Sequence, residues 1–185
     1  RGVIGGGYTG SIVNTIDYVT MATTGDATDF GDLTASRYGL AGVSNNTRGI
    51  FGGGDSGSRS NIMDYITIDT EGNASDFGDL TQARGFFEGV ENDTRGVFGG
   101  GNTSGAVNTM DYVTISTLGD ATDCGDLTVA RFAVGALSND TRGVWGGGQY
   151  YDTMDYITIA TTGNATDFGD LASSRRYVVG VANNT

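Results

Sequence analysis

The stretch "DTRGVFGGGN", residues 93–102, decides the fold because close copies of it recur along the chain. The other copies are "RGVIGGGY" from Arg1, "TRGIFGGGD" from Thr47 and "TRGVWGGGQ" from Thr141. Aligned on these copies, the sequence of 185 residues divides into four repeats, 1–47, 48–94, 95–141 and 142–185. Each repeat continues with Asp-Tyr-(Val/Ile)-Thr and a near copy of "GDATDFGDL". Self-similarity at this period is typical of solenoids, propellers and other arrays.

The repeats have the composition of strands rather than helices. Their segments are short, β-branched and aromatic, and "MDYITI" from Met63 alternates two sets of side chains as a strand does. We predict four strands in one complete repeat, near 37–43, 48–53, 63–69 and 75–80. Between the first two lies "SNNTR", in which Asn45 and Asn46 are expected to take the positive φ of a tight hairpin. Four antiparallel strands in a repeat of this length predict an all-β propeller blade.

Composition narrows the range of functions. The net charge is −12, and all ten basic residues are Arg. Such an acidic chain repels phosphate groups, so we expect neither nucleic acid nor an anionic membrane as a partner. No apolar run approaches the ~20 residues of a membrane span. The sequence contains no His, which excludes Ser–His and Cys–His catalysis and imidazole metal sites.

The one cysteine has a structural interpretation. Cys124 stands where the other repeats have Phe30, Phe77 and Phe168, so we expect a small buried apolar side chain. One cysteine also rules out an internal disulfide framework. The chain starts at Arg1 without a signal peptide, which we interpret as processing or as part of something longer.

The glycine runs resemble phosphate-binding loops only superficially. A P-loop needs Gly-x-x-x-x-Gly-Lys-Ser/Thr before a helix, and this sequence contains no Lys. We therefore predict that the glycines end strands at positions where neighbouring repeats crowd together and no Cβ fits.

The repeated acidic residues are candidate calcium ligands. Their spacing of three departs from the Asp-x-Asp-x-Asp-Gly pattern of an EF-hand loop. We expect them instead to cap turns and to pair with Arg37 and Arg48, although weak calcium binding stays open. No other cofactor is expected. These residues are Asp26, Asp29, Asp32, Asp76, Asp79, Asp120, Asp123, Asp126, Asp167 and Asp170.

A second repeated set could line an axial channel as a charged ring. Because its members are the same in every copy, we favour a structural role for them. The set comprises Arg84, Arg95, Arg131, Arg142 and Arg175 together with Asp17, Asp64, Asp111 and Asp155.

The pattern resembles the kelch repeat along the whole chain. The residues that carry the resemblance in one repeat are Arg37, Gly52 and Gly53, Tyr65 and Phe77. The distal aromatic is Phe rather than Trp, and Cys124 replaces it once. The resemblance implies a β-propeller of four kelch-like blades with four antiparallel strands each. The absence of His excludes a kelch-type copper oxidase, which needs imidazole ligands.

The repeats are also similar to tandem repeats in structural and tail-fibre-like proteins of marine bacteriophages. That resemblance implies a location on a virion or outside the cell, beside other virion proteins.

The position of the repeats in the chain predicts how a ring would close. Segment 175–181, "RRYVVGV", can pair beside segment 1–7, "RGVIGGG", and complete a composite blade. We favour this closure, which makes residues 1–185 one domain. The alternatives are two chains that form an eight-bladed ring as a homo-oligomer, and a part of a larger ring.

The loop tips between the glycine run and Asp-Tyr differ among repeats and are the candidate recognition sites. Aromatic and Arg side chains there combine flat apolar area with hydrogen bonding. We predict a non-enzymatic structural or receptor-recognition module that binds a surface carbohydrate or protein. The alternatives are a glycan-processing enzyme with an acidic site, with or without calcium, and an architectural repeat without a ligand. The candidate residues are Tyr8, Ser11, Asp55, Arg59, Asn102, Thr103, Tyr150 and Tyr151.

Overall fold

The computed structural model describes residues 1–183, and in them the chain forms four antiparallel sheets in sequence order. Sheet 1 comprises β1 (Gly2–Tyr8), β2 (Ile12–Val19) and β3 (Thr28–Asp32). Sheet 2 comprises β4 (Ala41–Ser44), β5 (Arg48–Gly52), β6 (Ile62–Thr67) and β7 (Ser75–Asp79). Sheet 3 comprises β8 (Glu88–Glu91), β9 (Arg95–Gly99), β10 (Thr109–Thr114) and β11 (Thr122–Asp126). Sheet 4 comprises β12 (Gly135–Ser138), β13 (Arg142–Gly146), β14 (Thr153–Thr158) and β15 (Thr166–Asp170).

The all-β class and the repeated antiparallel sheets are confirmed. Three sheets have four strands in simple meander order, and sheet 1 has three. None of residues 1–183 belongs to a helix, so that part of the chain has no helix of the length and apolarity that crossing a membrane requires. The arrangement is consistent with a propeller-like fold.

Two details of the predicted repeat are wrong. The first strand begins at Ala41 rather than Arg37, because the Arg37 side chain is fully buried and Gly39 turns the backbone with φ +65°. Neither Asn45 nor Asn46 has a positive φ. The Asn45 side chain makes the turn instead, since its Oδ1 accepts hydrogen bonds from the backbone N–H of Thr47 and Arg48.

The core lies between successive sheets. Strand β6 illustrates this, because Met63 and Ile66 lie on opposite faces of the sheet and both are buried. Ile66 packs in a cluster with Ile16 and Phe30 of sheet 1, whereas Met63 packs in a cluster with Phe98 of sheet 3. A third cluster joins sheets 3 and 4. Each pair of neighbouring sheets therefore shares one apolar layer, which we call a junction.

The predicted ring closure is not shown by the structure. Strand β1 pairs with β2 alone, and residues 175–181 form no strand. Segment 175–181 nevertheless lies against sheet 4 in the same way that the segment before each first strand lies against the preceding sheet. The N–H of Tyr177 donates to the Ala133 carbonyl as the N–H of Ala133 donates to that of Phe86.

Candidate functional site

Six of the repeated Arg and Asp residues form three buried ion pairs. The side chains of these six are 0% exposed, so they do not line an open channel. Burial lowers the pKa of each guanidinium, and the facing carboxylate opposes that shift. The structural role that we favoured for this set holds for Arg84–Asp111 at 2.9 Å, for Arg131–Asp155 at 2.7 Å and for Asp64, whose partner at 2.6 Å is Arg37 from outside the set. The other members form no ion pair among the described residues; they are Asp17, Arg95, Arg142 and Arg175.

Each pair is held in place by further hydrogen bonds. Arg37 also donates to the carbonyls of Gly53 and Ile62 at 2.7 Å. Asp64 accepts from the backbone N–H and the hydroxyl of Thr34. The register of β6 against β7 shifts between Met63 and Asp64, and the same irregularity recurs at the corresponding Asp of the other sheets. These charges are thus used within the fold rather than offered to a ligand.

The acidic segments behave only in part as expected. Asp76 and its copies Asp123 and Asp167 accept hydrogen bonds from the backbone N–H two residues on, but they do so inside strands β7, β11 and β15 rather than in turns. Asp120 instead accepts from the N–H of Asp79 in the preceding sheet, at 3.0 Å.

The predicted pairing of these acids with Arg37 and Arg48 is wrong. Arg37 pairs with Asp64, outside the acidic segments. Arg48 lies over the Tyr65 ring at 4.6 Å and donates to the Ile115 carbonyl of the next sheet at 2.8 Å. In the described part of the chain, no three His, Cys, Asp or Glu residues are grouped to hold a metal ion. Weak calcium binding stays a prediction.

The glycine and cysteine predictions are confirmed. Gly53 has φ +63°, and a Cβ on it would lie 2.5 Å from the Arg84 carbonyl oxygen of the next repeat. Only glycine fits such an approach. Cys124 is 6% exposed, and burial raises the pKa of its thiol to about 12, so it is an inert core residue.

Three of the eight predicted loop-tip residues, Asp55, Arg59 and Asn102, come together. The Arg59 guanidinium pairs with Asp55 of the same tip and donates to Asn102 Oδ1 of the next tip at 2.5 Å. It also lies 5.0 Å from the centre of the Phe86 ring. Arg59 therefore joins the tips of sheets 2 and 3 while part of its side chain, 23%, stays exposed.

A row of aromatic rings continues from this arginine. The Phe86 and Tyr38 rings meet edge to face at 5.6 Å, and Tyr38 and Tyr8 lie 5.9 Å apart. Tyr8 is 66% exposed at the end of β1. We call the group formed by Tyr8, Tyr38, Asp55, Arg59, Phe86 and Asn102 the tip surface.

The other predicted residues are not part of this group. Ser11 is exposed in the turn between β1 and β2, and the Thr103 N–H donates to the Gly105 carbonyl within its own turn. Tyr150 and Tyr151 are 75% and 39% exposed on the tip of sheet 4. Tyr150 has its own arginine, since the Arg176 guanidinium lies 5.3 Å from its ring.

Sequence reasoning missed Tyr38, Phe86 and Arg176. A signal was present, because every repeat has an aromatic residue within two positions after the arginine of the buried pair or its counterpart Arg175. These aromatics are Tyr38, Phe86, Phe132 and Tyr177. They stand alternately one and two residues after the arginine, so an alignment of the repeats places them in two different columns.

Two glutamates have a perturbed charge state. Burial raises the pKa of both Glu88 and Glu91 to about 7. The other copies have Ala41, Gly135 or Val179 in place of Glu88, and Ser44, Ser138 or Ala182 in place of Glu91. Glu91 lines an open cavity of about 430 Å³ together with Asp93 and Asp140 from neighbouring hairpin turns. An acidic cavity of this kind is what the alternative interpretation, a glycan-processing enzyme with an acidic site, would require.

Comparison with known proteins adds no assignment. No protein-family model matches the chain, and no curated protein has a significantly similar sequence.

Proposed function

We propose that this protein is a non-enzymatic recognition module that binds a surface carbohydrate or protein through its tip surface. The observation that carries the proposal is the aromatic row Tyr8–Tyr38–Phe86, exposed at Tyr8 and half-buried at the other two rings, with Arg59 held over one end. Aromatic faces stack on sugar rings and on apolar side chains, while a fixed guanidinium donates hydrogen bonds to oxygens.

The contrast between repeated buried residues and variable tip residues supports this function. The repeated charges are buried in ion pairs, whereas Tyr8, Asp55, Arg59 and Asn102 differ from the residues at the same place in other repeats. A surface that recognises one ligand needs such differences, because identical tips would present identical groups around the array. The tips also lie outside the apolar clusters, so they can vary without loss of the core.

We further propose that the four sheets are blades of a kelch-like β-propeller, completed when a strand with the pattern of segment 175–181 pairs with the free edge of β1. A virion or extracellular location belongs to the same proposal and rests on the resemblance of the repeats to tail-fibre-like proteins. In that setting the module would lie beside other structural proteins and present the tip surface outward.

A glycan array, followed by titration of the sugars retained, tests the proposal. We expect Tyr8→Ala and Tyr38→Ala each to weaken binding about tenfold, the usual cost of removing a central aromatic contact. Leu118→Ala is the matched control, because Leu118 is 53% exposed in a turn that is not part of the tip surface. Equal losses in all three variants would count against the tip surface.

The same assay distinguishes the alternatives. Released sugar that disappears in Glu91→Gln would identify a glycan-processing enzyme acting from the acidic cavity. The architectural role would remain if two results were obtained together. The chain would bind neither glycans nor candidate surface proteins, and it would keep its full function after both tips 8–11 and 149–152 are exchanged for Gly-Ser segments.

A further inference from the structure

The centre of the tip surface is held in place by backbone hydrogen bonds between neighbouring segments. Tyr38 and Asp55 exchange two of them, in which each N–H donates to the carbonyl of the other residue, at 3.1 and 2.8 Å. Gly85 and Asn102 exchange the same two bonds, also at 3.1 and 2.8 Å. A ligand that binds here therefore meets a preorganised surface rather than a loop that must first be ordered.

Phe86 keeps an aromatic side chain in a backbone conformation that bulky residues rarely adopt. Its φ is +59°, and the same left-handed conformation recurs at Gly39, Ala133 and Tyr177, so the fold imposes it on every copy. Glycine fits this conformation best. The Phe86 ring fills the room that Gly39 leaves, since a Cβ on Gly39 would lie 2.9 Å from the ring. Strain of this kind clusters at functional sites, and here it sets the ring against the Arg59 guanidinium.

The charged groups of the tip surface neutralise each other. Asp55 Oδ2 accepts a hydrogen bond from the Arg59 guanidinium, and Asp55 Oδ1 accepts one from the Gly57 N–H at 2.7 Å. Arg59 also donates to Asn102 Oδ1, which leaves the amide Nδ2 as the donor of that side chain. Because the chain as a whole has a net charge of −12, a site without excess positive charge does not attract anions.

The size and composition of the tip surface fit a saccharide better than a protein. A specific protein interface takes about 20–30 residues from each partner, whereas the tip surface has six. Its aromatic rings lie beside a carboxylate, an amide and a guanidinium within this small area. A sugar ring matches both kinds of group, because its C–H bonds pack on an aromatic face while its hydroxyls donate and accept hydrogen bonds.

We propose that the tip surface binds a neutral saccharide, one sugar residue of which packs on the rings of Tyr38 and Phe86. Its hydroxyls bond to the neutralised pair of Asp55 and Arg59 and to Asn102. This inference rests on the proposed recognition function and deepens it by naming the class and charge of the ligand. A hydroxyl can donate to the carboxylate or accept from the guanidinium without separating the ion pair. The carboxylate of an acidic sugar would have to compete with Asp55 for Arg59.

The first test is a glycan array that carries neutral hexose oligomers beside uronic-acid oligomers of the same linkages. We expect the chain to retain neutral oligomers and not their acidic counterparts. Titration of a retained oligomer at about 50 mM and about 500 mM NaCl should give Kd values within about twofold of each other, because salt does not screen the binding of an uncharged ligand. A site that binds anions would lose much more affinity over the same range of salt.

Asp55→Asn tests whether the ion pair sets the preference for neutral sugars. The variant leaves the Arg59 guanidinium without its carboxylate, so it should bind the uronic-acid oligomers at least about tenfold more tightly than the wild type does. Asp26→Asn is the matched control, because it makes the same change in net charge at an exposed site in the turn between β2 and β3. An equal gain in both variants would overturn the role given to the pair of Asp55 and Arg59.

Two substitutions of Phe86 separate recognition from stability. Phe86→Ala and Phe86→Gly both remove the ring, and each should weaken the binding of a retained neutral oligomer about tenfold. Phe86→Gly also relieves the strain of the positive φ, so the midpoint of its urea unfolding should be higher than that of Phe86→Ala. Equal losses of affinity at unequal stability would support direct contact between the ring and the sugar. A loss of affinity in the less stable variant alone would mean that the ring only supports the fold.

The outcomes distinguish this inference from the function on which it rests. Retention of acidic oligomers in preference to neutral ones would overturn the inference and leave a recognition module for anionic sugars. Binding to a candidate surface protein without binding to any glycan would also overturn it and leave a recognition module for proteins. If the chain bound neither, the proposed function would fail together with the inference. Circular dichroism of each variant confirms that it is folded before its binding is interpreted.

Discussion

The chain uses the same two residue types, Arg and Asp, in two different ways. Arg84 and Asp111 are 0% exposed and lie between the sheets, and the arrangement occurs three times. Arg59 and Asp55 form a single pair on a loop tip, with side chains 23% and 15% exposed. The buried pair makes further hydrogen bonds inside the fold, from Thr81 to Asp111 and from Arg84 to the Phe98 carbonyl, whereas the tip pair is partly exposed to solvent.

The difference shows that position in the repeat, rather than residue type, decides whether an Arg–Asp pair is buried in the fold or left at the surface. A buried guanidinium that loses its carboxylate has no water to replace it. An exposed guanidinium exchanges its partner for water at little cost. Substitutions in the two regions should therefore have effects of very different size.

The largest effect is expected for Arg84→Ala. It leaves the buried carboxylate of Asp111 without its partner, which should lower the free energy of unfolding by about 3–5 kcal/mol. Urea denaturation followed by circular dichroism measures the change. The double variant with Asp111→Leu should recover part of the loss, since it removes the uncompensated charge. A loss below about 1 kcal/mol in the single variant would mean that the pair does not hold the junction.

Gly53→Ala tests the junction through its backbone. The positive φ and the 2.5 Å approach of the new Cβ to the Arg84 carbonyl should cost at least about 2 kcal/mol. The control is Gly105→Ala, at a glycine with no positive φ and no atom near the added Cβ. That variant should stay within about 0.5 kcal/mol of the wild type by thermal or urea denaturation. Similar losses in both would contradict the crowding at Gly53.

The glutamates of β8 should make stability depend on pH. Because burial raises the pKa of Glu88 and Glu91 from 4.5 to about 7, the folded state binds extra protons between these values, and their stabilisation is lost as the pH rises through that window. Glu88→Gln should therefore gain up to about 3 kcal/mol over the wild type on going from pH 4.5 to pH 8. Denaturation at the two pH values measures it, with Glu71→Gln as the control at an exposed glutamate. An equal gain in that control would locate the effect elsewhere.

The smallest change in stability is expected at the tip. Arg59→Ala removes a partly exposed pair and should cost at most about 1 kcal/mol, although it should abolish the contacts to Asn102 and Phe86. Binding to any ligand retained on the array should fall by a larger factor than stability does. If Arg59→Ala destabilised the chain as much as Arg84→Ala, the contrast between tip and junction would be wrong.

Sequence alone predicted most of the architecture, because the repeat supplies four independent readings of one pattern. Strands near 48–53 and 75–80, the crowding at Gly53 and the burial of Cys124 all follow from alternation and substitution between copies. The start of the first strand could not be predicted in this way. Arg37 looks like a strand residue in the sequence, and only the structure shows that it is buried in a pair with Asp64.

The site was harder to predict for a physical reason. Asp55, Arg59 and Asn102 were expected at the tips, but their grouping depends on how sheets 2 and 3 are placed side by side. Tyr38 and Phe86 belong to segments that precede the first strands, so no search of the variable tips alone would include them. The Asn45 turn failed for a similar reason, as its side chain supplies the hydrogen bonds that a positive φ would otherwise provide.

The spacing inside the buried pairs has a consequence for how this chain can diversify. Arg37 and Asp64 are 27 residues apart in sequence, yet Arg131 and Asp155 form the same pair at a separation of only 24, because the tip of sheet 4 is shorter. Lengthening or shortening such a loop changes its closure entropy by well under ~1 kcal/mol. Tips can therefore be inserted, trimmed or exchanged one at a time while the junctions stay the same, which makes the array a scaffold for new specificities.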